Sequence, residues 1–355
     1  MEYIGNIRIK DIAEMAGVSV GTVDRVIHGR AHVSKLAKEK VQKVLDEIDY
    51  VPNHYASVLA SNKVYKFIAI LPMHEEDSYW ARVERGLYDG VKRFSDFKID
   101  FKVLYYDHFN DESFIEQTEV LIKMEPYAVI IGPIFNYRLM SKFVKKLESV
   151  EIPYSLLDSY WADFNPLCYY GQDSKKSGAF AAKIMLMAAG VNRKIAIFKF
   201  IGEGRVASRQ QLDRETGFKE YVKKHSPQTE ILVENLYVYD KEGMKERLTK
   251  FFTTHKDIRY ALTFNSSIHL IGSYLKRFLP QYPHVSLLGY DAINANVDGL
   301  KNGIVDFLIA QQPQRQGLNV FRSTFNGSVL QLTQQVKNYV PIELLTVENV
   351  DYYRD

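Results

Sequence analysis

One stretch near the N-terminus constrains this chain more than any other feature. Residues 9–27 read IKDIAEMAGVSVGTVDRVI. Ile12, Ala13 and Ala16 recur at helical spacing, and Gly17 follows where a left-handed residue ends a helix at little steric cost. Ser19 then stands where a side-chain oxygen caps a second helix, from Val20 to about Ile27. Two short helices joined by a tight glycine turn make a helix-turn-helix. Ala13 lets the two approach closely, and Val18, Val23 and Val26 are expected to face a shared core. A third amphipathic helix is expected after Ser34, its N-cap, with Leu36, Val41, Val44, Leu45 and Ile48 as the apolar stripe.

The chain has 355 residues, so a second, larger folding unit is expected behind this small one. Apolar residues make up 46% and charged residues 25%, an ordinary globular balance. A net charge of only +3 means that any nucleic-acid function must come from local geometry rather than bulk charge. Cys168 is the only cysteine, so it forms no intrachain disulfide and builds no metal cage by itself. It reads as a buried neutral thiol, and such sparing cysteine use fits a reducing compartment. Charges interrupt the N-terminal residues, so no apolar signal-peptide core is expected there. The apolar stretch 179–191 carries Lys183 and is too short to span a bilayer. A soluble, cytoplasmic protein with no membrane role is expected.

DIAEMAGVSVGTVDRVIHG, followed by VS and then YVPNHYASVLAS, resembles the DNA-binding headpiece of the lactose-repressor (LacI) family over residues 9–61. The resemblance implies that double-stranded operator DNA is a partner and that the second helix lies in the major groove. Ser19 opens that helix. Val20 and Gly21 take the positions that usually set operator choice: Val20 suits a thymine methyl, and Gly21 allows close approach. Thr22 is placed for a phosphate or base contact, and Arg25 for bidentate guanine readout. His28 is expected to join Arg30 and Lys35 on one face. The family usually has serine where this chain has Asp24. Residues 53–61, starting at Asn53, match the family's hinge helix, and Leu59 matches the leucine that wedges into a minor-groove base step. Ser57 replaces the usual hinge arginine. Through Ala60 eight Lys and Arg balance eight Asp and Glu, so non-specific attraction to DNA is expected to be modest.

Beyond residue 64, apolar runs at 67–71, 101–105, 128–131, 154–157, 194–200, 231–238, 260–264 and 285–289 alternate with helical patterns. That alternation signals an α/β fold with parallel sheets, and nearly 300 residues imply two subdomains. The segments SYWARVERG, IPYSLLDS, QDSKKSGAFAA, DRETGF, LTFNSS, LLGYDA and GIVDFLIAQQPQRQG resemble the sugar-binding type of periplasmic binding protein. The resemblance implies two doubly wound lobes, three crossovers and a cleft holding a small-molecule effector, a sugar or related polyol. Carried over by position, the ligand residues are Tyr79 and Trp80 (flat rings for a sugar face), Asp158, Arg214, Asn265, Asp291 and Gln311. Most of these polar residues follow an apolar run, where an open sheet places ligand contacts. Asp158 is followed by Ser159 where arginine is common, and Asn265 by Ser266 where aspartate is common. Both departures change cleft polarity.

The expected organisation is an all-α headpiece over residues 1–50, a hinge and linker over 51–64, and a two-lobed ligand-binding and dimerisation domain over 65–355. Nothing in the C-terminal VENVDYYRD resembles a tetramer-forming coiled coil, so a homodimer is expected. No cofactor, metal or enzymatic activity is expected. GEGRVA at 202–207 has the spacing of a dinucleotide fingerprint, but the next strand is too distant to supply the acidic partner, and a lobe-closing loop is the better reading. His28 and His32 lack a carboxylate to complete a metal site, and no nucleophile elbow precedes NSSIH at 265–269. Two alternatives stay open: a purine or other non-sugar effector, and a ligand-binding protein with no DNA role.

Overall fold

The computed structural model describes residues 9–27, 31–47, 58–189, 193–206 and 208–355. His28, Asn53, Ile48, Arg30 and Ser57 lie outside the described residues. The chain divides into two compact units, Met1–Ser61 and Asn62–Asp355.

The first unit holds α1 (Ile9–Ala16), α2 (Val20–Ile27) and α3 (Lys35–Glu47). Gly17 sits at φ +62°, and its N–H bonds to Glu14 O. The N–H of Val18 bonds to Ala13 O, closing the end of α1. Ser19 Oγ accepts from Thr22 N at 3.2 Å and caps α2; Ser34 Oγ accepts from Ala37 N and caps α3. The core is Ile12, Ala13, Ala16, Val23, Val41 and Val44, with Val18, Val26 and Leu45 packed against it. Leu36 departs from the expected stripe and is 66% exposed. Five residues separate it from Val41, which turns it roughly 140° away around a helix.

The second unit has two α/β lobes. In the first, β1 (Val64–Pro72), α4 (Tyr79–Lys92), β2 (Lys98–Tyr106), α5 (Asp111–Lys123), β3 (Ala128–Ile131), α6 (Tyr137–Ser149), β4 (Tyr154–Leu157) and β5 (Tyr169–Gly171) follow one another. In the second come α7 (Ser174–Ala189), β6 (Lys194–Gly202), β7 (Arg205–Val206), α8 (Arg209–His225), β8 (Glu230–Tyr237), α9 (Lys241–Thr254), β9 (Tyr260–Leu262), α10 (Ile268–Phe278), β10 (Ser286–Tyr290), α11 (Asn294–Lys301) and β11 (Phe307–Ala310). The chain then returns to the first lobe with α12 (Pro313–Ser328) and β12 (Lys337–Tyr339), and ends on the second with β13 (Glu343–Leu345). The first sheet has the order β12-β5-β4-β3-β1-β2 and is parallel throughout. The second runs β13-β11-β10-β9-β6-β7 with β8 beside β6; only β7 and β13 are antiparallel. The expected doubly wound lobes and three crossovers are therefore present. The crossovers lie at 172–173, 311–312 and 340–342.

Helices pack closely where glycine removes a side chain. In α7, a Cβ on Gly178 would lie 1.9 Å from Arg214 O of α8, and one on Gly217 would lie equally close to Lys175 O. The pairing fixes α8, and with it Arg214. Two of the crossovers are tied together by Gln172. Its Nε2 donates to Ala310 O, the last residue of β11, at 3.2 Å and to Pro341 O, in the third connection, at 3.0 Å. No helix among the described residues is long and apolar enough to cross a membrane.

Candidate functional sites

On the headpiece, packing leaves one face of α2 uncommitted. Val23 is fully buried, whereas Val20 is 49% exposed beside exposed Gly21 and Arg25. An exposed β-branched residue in the first turn does nothing for the core. Thr22 is half-buried, and its hydroxyl pairs with Ser19 Oγ at 2.9 Å, so both hydroxyls already serve the helix start. Val58–Ala60 form a helical turn, and Leu59 is 43% exposed there.

In the larger unit, Tyr79, Trp80, Asp158, Arg214, Asn265, Asp291 and Gln311 all line one cavity of about 180 Å³ between the lobes. Asp158 follows β4 of the first lobe, and Asp291 follows β10 of the second. Both sit at positive φ, +66° and +68°, which turns each side chain off its strand end toward the cleft. Arg214 is 1% exposed. Its Nη1 donates to Phe264 O at 2.9 Å and its Nη2 to Gln311 Oε1 at 3.0 Å, while its plane lies 3.9 Å from the Tyr290 ring centroid. Its Nε is buried without a hydrogen-bond partner.

Gln311 passes the interaction on, with Nε2 donating to Asp291 Oδ1 at 2.7 Å. Ser266 Oγ donates to the other Asp291 oxygen at 3.0 Å, and Ser159 Oγ reaches Asp158 Oδ2 at 3.4 Å. The two serines that depart from the family pattern thus each face a carboxylate. The Asn265 side-chain Oδ1 accepts from Ser267 N at 3.1 Å. Tyr79 OH donates to Gln316 Oε1 at 3.2 Å, and its ring meets Trp80 edge-on at 5.0 Å. Burial pushes the Asp158 carboxyl up to about 6; Arg214 pulls it down and Asp291 pushes it further up. Burial likewise raises Asp291, against Arg214.

The lining also includes Ser266, and Ser78, His108, Ser208, Gln210, Gln211, Phe264 and Ser267, which sequence reasoning missed. Two carried a usable signal. Gln210 lies four residues before Arg214 on the same helix face, and His108 lies just past the end of β2.

The lobes also meet outside the cavity. Of the GEGRVA segment, residues 202–206 form the β6–β7 hairpin, with Gly202 opposite Arg205, and Ala207 lies outside the described residues. Arg205 Nη2 reaches Asp111 Oδ1 of the first lobe at 2.6 Å. Asp77 accepts from Asn294 N, and the Arg209 guanidinium lies 4.7 Å from the Trp161 ring. Among the described residues no group of three or more His, Cys, Asp and Glu is placed to hold a metal ion.

Two family models match the chain. Residues 8–53 match the lacI family of bacterial regulatory proteins, and residues 68–326 a periplasmic binding protein domain. Catabolite control protein A of Streptococcus mutans is 37% identical over 83 residues, 23% of this chain and 25% of its own length. The chain thus aligns with about a quarter of that relative. A Bacteroides fragilis crystal structure described as a LacI transcriptional regulator superposes with a TM-score of 0.78 at 38% identity, covering 82% of this chain and all of that one. A solute-binding protein from Burkholderia graminis, solved with D-arabinose, shares the fold with a TM-score of 0.71 at 15% identity, over 81% of this chain and 98% of that one. With the helix-turn-helix in the first unit and two doubly wound lobes in the second, the chain belongs to the LacI family of bacterial regulatory proteins and carries a periplasmic-binding-protein-like effector domain.

Proposed function

We propose that the chain is a homodimeric transcription regulator that reads a two-fold operator and changes its affinity for that DNA when a sugar or related polyol enters the inter-lobe cavity. The observation that carries this reading is the convergence of Asp158, Arg214, Asn265, Asp291 and Gln311, with Tyr79 and Trp80, on one cavity. Carboxylates, amides and a guanidinium around a small space offer the mixed donors and acceptors that hydroxyls require. The aromatic rings add apolar surface for the carbon face of a ring. The size of the cavity and its two acids favour a single polyol ring over a purine, since Tyr79 and Trp80 stand perpendicular and offer no parallel slot.

On DNA, Val20, Gly21 and Arg25 are the base-facing group, and two-fold symmetry makes the operator an inverted repeat. Ligand couples to DNA by favouring one lobe arrangement over another, whichever sign the coupling takes. A thermal-shift screen of monosaccharides, polyols, sugar acids, phosphosugars and nucleobases tests the ligand class, because binding to the folded state raises the melting temperature. Hits are then added to a DNA-binding titration. Stabilisation by polyols with a changed operator affinity supports the reading; stabilisation only by nucleobases removes the polyol assignment.

A further inference from the structure

We propose that the cavity takes a cyclic polyol bearing a protonated amine, an amino sugar or aminocyclitol, with its ammonium against Asp158. The inference rests on the polyol reading above and narrows it.

The cavity wall holds two buried carboxylates, Asp158 at 3% exposure and Asp291 at 5%, against one guanidinium, Arg214. Arg214 is already committed. It donates to Phe264 O and Gln311, and Gln311 in turn donates to Asp291, so the cation's influence is relayed to that carboxylate. Ser266 completes Asp291. Asp158 has no such arrangement. Its hydrogen-bond partners are neutral hydroxyls, that of Tyr79 and, at 3.4 Å, that of Ser159, which stands where the family often has arginine. Among the described residues no Lys, Arg or His nitrogen lies within salt-bridge distance of it, and Arg214 acts on it from farther off. The other groups around it are the hydroxyls of Tyr79, Tyr106 and Tyr169 and the like charge of Asp291; His108 lies on the same cavity wall.

A buried carboxylate without a cation is costly, and a partner cation relieves that cost far better than a neutral hydroxyl does. A ligand ammonium supplies the missing partner and brings the wall to charge balance. A phosphate or carboxylate on the ligand would add a third negative charge to a wall with one cation. Trp80 and Tyr79 reinforce the choice, because aromatic faces attract cations.

The test is calorimetric titration of the full chain with matched ligands: glucosamine, galactosamine and mannosamine, each beside its parent sugar and its neutral N-acetyl derivative. For at least one ring the amine is expected to bind about ten-fold tighter than both neutral partners. The advantage should shrink as the pH is lowered from 7 to 5, where the amine keeps its proton and Asp158 gains one, and it should vanish in Asp158→Asn. The pH series needs no variant and so stands even if Asp158→Asn folds poorly. Equal or tighter binding of the parent sugars in every pair overturns the inference and leaves the polyol reading in place. An amine advantage that persists in folded Asp158→Asn also overturns it. Binding by no polyol of either kind removes both.

Discussion

Arg205 of the second lobe meets Asp111 of the first at 2.6 Å, and the same guanidinium points at His108 O. The pair crosses the cleft away from the cavity, so it biases lobe closure without touching ligand. A partly exposed pair of this kind contributes about 1 kcal/mol. Arg205→Ala is expected to widen the ligand-free protein in solution scattering and to weaken ligand binding roughly 5-fold, the equivalent of that energy. Unchanged scattering together with unchanged affinity would show that the contact holds nothing closed.

The acidity of Asp158 gives a stability prediction. Its folded carboxyl titrates at about 6, above the ordinary value of 3.8, mainly because burial disfavours the charge. As pH rises from 4 to 6 the unfolded chain loses this proton first, so the folded state binds more protons and stability falls. The loss levels off above 6 and is on the order of 3 kcal/mol for a shift of this size. Asp291 is shifted the same way and adds to the slope. Denaturant melts between pH 4 and 7 should show ligand-free Asp158→Asn losing part of this slope and gaining stability at pH 7. A flat wild-type profile would contradict the burial argument.

Gly178→Ala should separate helix propensity from packing. Alanine in a helix interior normally gains about 1 kcal/mol over glycine. Here its methyl would lie 1.9 Å from the Arg214 carbonyl. Overpacking is expected to win, with a net loss of about 1–3 kcal/mol and weaker ligand binding as Arg214 shifts. A stabilised variant with intact binding would mean that α7 and α8 have room to part.

On DNA, Leu59→Ala is expected to weaken specific operator binding far more than binding to random sequence, because a wedge acts only on a kinked site. Its 43% exposure leaves the side chain available for such a role. Fluorescence anisotropy with operator and scrambled duplexes checks this, and equal losses on both would argue against the wedge.

Much of this was legible in the residues. The Gly17 turn, the Ser19 and Ser34 caps and the main strands follow from local rules, and the candidate ligand residues follow from the way an open sheet presents its strand ends. Other parts were not legible. β5, β7, β12 and β13 have only two or three residues, too few to show a period. Leu36 looked like core because it is apolar, though its angular position turns it outward. Ser159 and Ser266 read as lost charges, whereas in space each hydroxyl faces a carboxylate; Ser266 and Asp291 come from separate segments. Ser208 and Gln211 needed the fold to bring them to the cavity wall.

Gln172→Leu should cost about 1–3 kcal/mol, since the buried Ala310 O and the partly exposed Pro341 O lose a shared donor. Chemical denaturation measures this directly, and an unchanged midpoint would mean that the connections hold without it.

The same side chain has a mechanical meaning. Gln172, in the first connection, ties the end of β11 to the third connection, and a tie at one such point permits rotation more readily than sliding. Displacement about a pivot grows with distance from it. A turn of a few degrees barely disturbs the bonds at Gln172, yet it moves the outer ends of the lobes by far more. The cavity lies near the fulcrum, where small ligand contacts set the angle, and the far ends of the lobes read that angle out at the end of a long arm.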